Sequence, residues 1–153
     1  VGTDLYRDGL ARLEAGDGNE AKRLLEAALH EAPGDAGVMH ALSRALDLAG
    51  ERARAVELLE LVHAKAPSEP GPACDLAIAL LEKGEDARAA QVLGPVLEAH
   101  PDHPRANLDL ALALAKTEPD RSRLHAQRAG RSSNADEREQ AAALERVLSG
   151  QAP

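Results

Sequence analysis

The residues of this 153-residue chain best able to do chemistry are six histidines, one cysteine and a run of arginines. His100 and His103 are separated by two residues, as paired metal ligands can be. Pro101 and Pro104 nevertheless place them in a loop, and no Glu, Asp or Cys stands at recognised ligand spacing beside them. No metal site is therefore expected. Cys74 is the single cysteine, which excludes an internal disulfide framework and a zinc site built from several thiols. Its thiol would be reactive only if exposed and activated, and a passive, buried thiol is the plainer reading. There is no Ser-His-Asp arrangement with supporting context and no glycine-rich phosphate loop, since Gly16-Asp17-Gly18 reads as a turn. The expectation is a chain without catalytic residues and without a cofactor. Arg121, Arg123, Arg128 and Arg131, with His125 among them, make one stretch basic within an acidic chain. That stretch either docks an acidic group or phosphate, or is a solvated helix face.

The elements that must position these residues follow from composition. Apolar residues make up 44% of the chain, nearly all of them Ala, Leu and Val, with one Tyr, no Phe and no Trp. Ala and Leu lead the helix-propensity ranking, and small side chains let helices approach closely, so an all-α fold is predicted. The net charge of −8 argues against general nucleic-acid binding and against attraction to anionic membranes. No apolar run approaches the roughly 20 residues that span a bilayer. The chain starts at Val1 and shows no signal-peptide pattern, which suits a mature product or an excised domain, with the cytoplasm as the default expectation. Richness in Ala, Leu and Arg points to a GC-rich bacterial genome.

The arrangement of the helices is set by one spacing. Gly16, Gly50 and Gly84 lie 34 residues apart, as do Ala21, Ala55 and Ala89, then Leu25, Leu59 and Leu93, and Pro33, Pro67 and Pro101. Ala11, Ala45, Ala79 and Ala113 keep the same step. A shared period over unrelated positions marks a stack of one repeated unit. Each unit reads as two helices: about 2–15 and 19–31, 36–49 and 52–65, then 70–83 and 86–99. Apolar stripes run through Ala21, Leu24, Leu25, Ala28 and Leu29, and through Leu42, Leu46, Ala55, Leu59 and Val62. The third unit repeats them with Leu76, Leu80, Ala89, Leu93 and Val96. Gly permits positive φ at the turn, and Pro stops the second helix. Pro95 cannot donate to the carbonyl of Gln91, so a bend is expected there.

A fourth unit starts with Leu110, Ala111 and Leu114 and then erodes: no Gly marks its turn, and Pro119 is the breaker. With a turn one residue shorter, Ser122, Ala126 and Ala129 replace the stripe of the third unit in a helix at about 119–129. A closing helix at about 135–148 is predicted to cover it through Ala141, Leu144, Val147 and Leu148. Asn134 and Glu137 resemble a capping box at its start. The whole of 1–153 is read as one domain, with repeats at about 2–35, 36–69, 70–103 and 104–131 and a cap at about 134–149.

These residues resemble the tetratricopeptide repeat family over about 2–131. The second unit supplies Met39, Leu42-Ser43, Leu46, Gly50, Ala55, Leu59, Val62 and Pro67; the third supplies Leu76-Ala77, Leu80, Gly84, Ala89, Leu93, Val96 and Pro101. The resemblance implies a right-handed α-solenoid of three regular hairpins, a degenerate fourth and a cap. The family's usual aromatics are here Leu and Ala. Asp8 and Arg12 stand where later units carry Leu42 and Leu46, as suits an end of the stack if those positions face a preceding repeat.

The resemblance also implies a concave groove, lined by the first helices, that holds a partner's peptide or helix. Its lining would be Thr3, Tyr6, Leu10, Leu13 and Glu14, then His40, Arg44, Asp47 and Leu48. It would continue with Cys74, Asp75, Ile78, Leu81 and Glu82, and with Leu108, Asp109, Leu112 and Lys116. Apolar residues at these places favour a partner helix or extended segment. Contact with the neighbouring unit or incidental surface Leu is the alternative. Asp47, Asp75, Asp109 and Glu82 suit Lys or Arg on the ligand, or form a solvated acidic face. The family's carboxylate-clamp residues are replaced by Tyr6, Leu10, Ala41 and Asp75, which argues against a chaperone-tail clamp. The expected function is a protein-interaction scaffold with a protein or peptide partner; an accessory domain of a larger enzyme or secretion protein is the alternative. Self-association through the same apolar surface is open.

Overall fold

The computed structural model describes residues 2–150, with side chains from Asp4 onward. Among the described residues every regular element is a helix: α1 (Gly2–Glu14), α2 (Gly18–Glu31), α3 (Ala36–Leu48), α4 (Arg52–Lys65), α5 (Pro70–Glu82), α6 (Asp86–Ala99), α7 (Pro104–Leu114), α8 (Pro119–Ala129) and α9 (Ala135–Leu148). They fall into two compact units, 1–66 with α1–α4 and 67–153 with α5–α9.

The repeated glycine closes each first helix in the same way. Gly16, Gly50 and Gly84 have φ of 77, 85 and 76°. Beyond each, a backbone N–H reaches back five residues: Asp17 to the Arg12 carbonyl (2.9 Å), Glu51 to Leu46 (2.8 Å) and Glu85 to Leu80 (2.9 Å). This is the Schellman arrangement, which satisfies carbonyls the helix leaves open and needs a residue tolerant of positive φ. The fourth unit lacks that glycine. There α7 ends at Leu114 and the chain turns through Glu118 N–H to the Leu114 carbonyl (2.8 Å). The shortened turn delivers Ser122, Ala126 and Ala129 as the buried residues of α8. Helix α6 runs from Asp86 to Ala99 with Pro95 inside it.

In the N-terminal unit the core is Ala21 and Leu25 of α2, Ala41, Leu42, Ala45 and Leu46 of α3, and Ala55 of α4. Leu42 and Leu46 thus pack on the second helix of the preceding repeat, whereas Asp8 and Arg12 at the matching places of α1 are exposed. Close approach rests on glycine as well as alanine. A Cβ at Gly18, at the start of α2, would stand 2.8 Å from the Ala49 nitrogen and 2.9 Å from the Leu48 carbonyl carbon. Because both are backbone atoms, relief requires moving a helix. Gly18→Ala is expected to lower stability by about 1–3 kcal/mol. Urea unfolding followed by circular dichroism checks this, and an unchanged midpoint would show that the helices separate freely.

In the C-terminal unit α7 packs against α5, α6, α8 and α9. Leu108 of α7, Ala129 of α8 and Ala141 of α9 form one buried cluster. The stripe expected on α9 is narrower than its sequence pattern: Ala141 is buried and Leu144 and Leu148 are half-buried, but Val147 is 68% exposed. The cap of α9 also departs from a two-residue box. Asn134 Oδ1 accepts from the Asp136 and Glu137 N–H groups (2.9 and 3.4 Å). Ser132 Oγ accepts from the Asn134 N–H (3.0 Å) and donates to the Glu137 carboxylate. Ser132 relays the bond that Glu137 would otherwise make to the cap itself.

Candidate functional site

The first helices position the residues named above, and each unit presents its own face. On the N-terminal unit Tyr6, Leu10 and Leu13 of α1 are half-buried and pack against the core cluster of α2–α4. Packing within the unit therefore accounts for much of their apolar character. The side chain of Thr3 lies outside the described residues. On α3, His40 is half-buried, Arg44 and Asp47 are exposed, and Leu48 is 50% exposed. Asp47 pairs with Arg52 Nε at 3.3 Å.

On the C-terminal unit the structure divides the expected residues. Ile78 and Leu81 of α5 are half-buried, Leu112 of α7 is 38% exposed, and Glu82 and Lys116 are exposed. Lys116 Nζ pairs with Asp86 of α6 at 3.0 Å. Cys74, Leu108 and Asp109 were expected on the open face and instead lie inside. The reason is the company of α7: α9 covers Leu108 through Ala141, while Cys74 and Asp109 are enclosed where α5 meets α7. Burial drives the Cys74 thiol pKa well up, with the Asp109 carboxylate adding to it, so the thiol stays protonated and inert.

The charges placed on these faces are largely engaged within the chain. Arg105 Nη2 donates to Asp75 Oδ1 at 2.7 Å, and Arg105 Nε stands 3.8 Å from Asp109 Oδ2. The acidic positions Asp47 and Asp75 thus have basic partners of their own, and Asp109 is shut away.

The histidines and arginines also find structural posts. His103 Nδ1 accepts the Ala106 N–H (3.2 Å) and caps α7, a role that requires its neutral form, and burial lowers its pKa accordingly. Asn107 was missed in the sequence. It is fully buried; its Nδ2 donates to the Pro101 and His103 carbonyls (2.9 and 3.0 Å) and its Oδ1 faces His125 Nδ1 at 2.8 Å. Since Oδ1 can only accept, Nδ1 of His125 carries the proton. Burial lowers the His125 pKa, with Arg128 and Arg121 acting in the same direction. The detectable signal was a polar residue at the repeat position held by Ala73 and Met39 in earlier units. In the basic stretch Arg121 pairs with Glu118, and Arg123 Nη2 donates to the Leu148 carbonyl at the end of α9 (3.1 Å). Among the described residues no group of three His, Cys, Asp or Glu could hold a metal ion, and no helix is long and apolar enough to cross a membrane.

With this geometry in hand, comparison with known proteins is specific about the fold. A family model described as tetratricopeptide repeat matches residues 12–73 and 48–116. No match to a curated protein sequence was found. Among solved structures, the chain is similar to TTC0263, a thermophilic TPR protein in Thermus thermophilus, with a TM-score of 0.82 and 23% identity, covering 99% of this chain and 84% of that one. It is also similar to MamA from Desulfovibrio magneticus RS-1, with a TM-score of 0.72 and 22% identity over 98% of this chain and 94% of that one. MamA of strain AMB-1 gives a TM-score of 0.72 and 24% identity over 98% and 83%. The fold is all-α and of the solenoid type.

Proposed function

Because this chain belongs to the tetratricopeptide repeat family, we propose that it is a protein-interaction scaffold that captures a partner segment on the exposed faces of its first helices. The coarse role follows from membership, since the family's repeats serve as interaction modules. The observation that carries the finer reading is the exposure of Leu112 at 38% on α7. The contacts of Asp75 with Arg105 fix how α5 and α7 lie together. On α5 Ile78 sits about one turn and Leu81 about two turns beyond Asp75, and on α7 Leu112 sits about two turns beyond Arg105, so apolar residues follow the anchored pair along both helices of one unit. In the N-terminal unit Leu48, half exposed beside Arg44 and Asp47, offers a second apolar point with charged neighbours. An apolar edge bordered by fixed charge suits an amphipathic helix or an extended segment with alternating apolar residues.

The test uses the full chain as bait in a lysate of its source organism. Wild type is expected to retain a protein that Ile78→Glu/Leu112→Glu loses, with affinity reduced about 100-fold, since charge replaces two apolar contacts. Leu112→Glu alone should weaken capture with helical circular dichroism intact. Undiminished capture by the double variant would sink the reading.

A further inference from the structure

One group in the C-terminal unit is ill at ease. Asp109 is a carboxylate whose side chain is only 3% exposed, and its Oδ2 has no hydrogen-bond partner. Its basic neighbour on α7, Arg105, is 3.8 Å away and directs its better bond, 2.7 Å long, to Asp75. From α5 the Cys74 thiol bonds to the carboxylate and favours its charged form, whereas Asp75 disfavours it. From α9 Glu137, engaged with Ser132, adds a second negative field. From α8 His125 faces α7 but is held on Asn107, and from α6 Asp86 is paired with Lys116 beyond the end of α7. Burial dominates this balance, against the pull of Arg105, and pushes the Asp109 carboxyl up to about 6.

We propose that Asp109 makes the junction of α5, α7 and α9 a proton-sensitive joint: the helices close more tightly when the carboxyl is neutral and loosen when it ionises. An acid whose folded pKa is raised contributes stability in full below its unfolded pKa and loses it as pH rises through the folded value. For Asp109 that window runs from about pH 4 to just above 6. Nearby His103 and His125, and His63 of the N-terminal unit, work in the opposite sense. Burial lowers their pKa values, so acid protonates them at the expense of the fold. The wild-type curve alone therefore mixes two signs, and comparison with a variant separates them.

The experiment is urea unfolding of the full chain and of Asp109→Asn at pH 7.5 and pH 5, with the Asp109 carboxyl titrated by carbon-13 NMR in the wild type. The carboxyl should titrate near pH 6. Between pH 7.5 and 5 the wild-type folding constant should gain about tenfold relative to the variant, and at pH 7.5 the variant should unfold at the higher urea concentration. A titration midpoint below about 4.5, or the same pH dependence in both proteins, would overturn the proposal. Should Asp109→Asn fail to fold, the wild-type titration decides alone.

Discussion

Leu25→Ala is expected to lower the unfolding free energy by about 2–5 kcal/mol, among the largest effects of any single truncation in the chain. Leu25 is fully buried in a cluster with Ala21 on its own helix, Ala41, Leu42, Ala45 and Leu46 on α3 and Ala55 on α4, so four of its six partners are alanines. Alanine neighbours have no rotamers with which to reach into the space that a lost isobutyl group leaves, so only the leucines of the cluster can close it, and much of the cavity stays open. On the α1 side the fit is tighter still. A Cβ at Gly9 would stand 2.7 Å from Leu25 Cγ and 2.8 Å from its Cδ2. Gly9→Ala alone should therefore destabilise through overpacking, by about 1–3 kcal/mol. Combined with Leu25→Ala, the added methyl enters the vacated space, and the pair should be less damaging than the sum of the two. Urea unfolding of the four proteins in this cycle measures the coupling. Strict additivity would mean that α1 and α2 do not interlock at this point, and a Leu25→Ala penalty below about 1 kcal/mol would mean that the core collapses readily.

The second large effect is expected at Asn107. Replacement by Leu keeps the bulk but removes a donor pair and an acceptor from a fully buried site. The Pro101 carbonyl and the Nδ1–H of His125 then lose their partners together, while the His103 carbonyl keeps the backbone N–H of residue 107 (3.0 Å). Each buried polar group left unpaired costs about 1–3 kcal/mol, and water can recover part of it near the loop. A net loss of about 2–4 kcal/mol follows. It should be accompanied by loss of the Nδ1-protonated tautomer of His125 in side-chain nitrogen-15 NMR. A stable variant with His125 unchanged would show that Asn107 fills space and no more.

Of these two positions the repeat pattern flags Leu25 and not Asn107. The Leu25 column was legible as a core stripe because helical spacing and a 34-residue step coincide there. Gly9 was not: its place is held by Ser43, Ala77 and Ala111 in later units, and a small residue at one repeat position does not reveal what presses on it. Gly18 carried less signal still, since Arg52 and Asp86 occupy its place further on. Ser122 stands at a position where alanine recurs, and only the folded chain shows its hydroxyl donating to the buried Ala111 carbonyl at 2.6 Å. The spacing of the loop histidines carried no sign of a capping role, because the bond His103 makes depends on the turn geometry that Pro104 begins.

What the sequence determined by itself is the repeat and its helix boundaries. The reason is locality: the positive-φ glycine, the five-residue reach of the Schellman bond and the proline stop all act within one turn of chain. The tertiary structure decided which first-helix residues remain outside. Cys74, Asp109 and Leu108 occupy the same helix faces as Ile78 and Leu112, and no local rule separates them. Their burial follows from where α5 meets α7 and where α9 lies across α7, contacts made at long range in the chain. An apolar pattern states that a face is to be covered; only packing determines whether the chain covers it or leaves it for a partner.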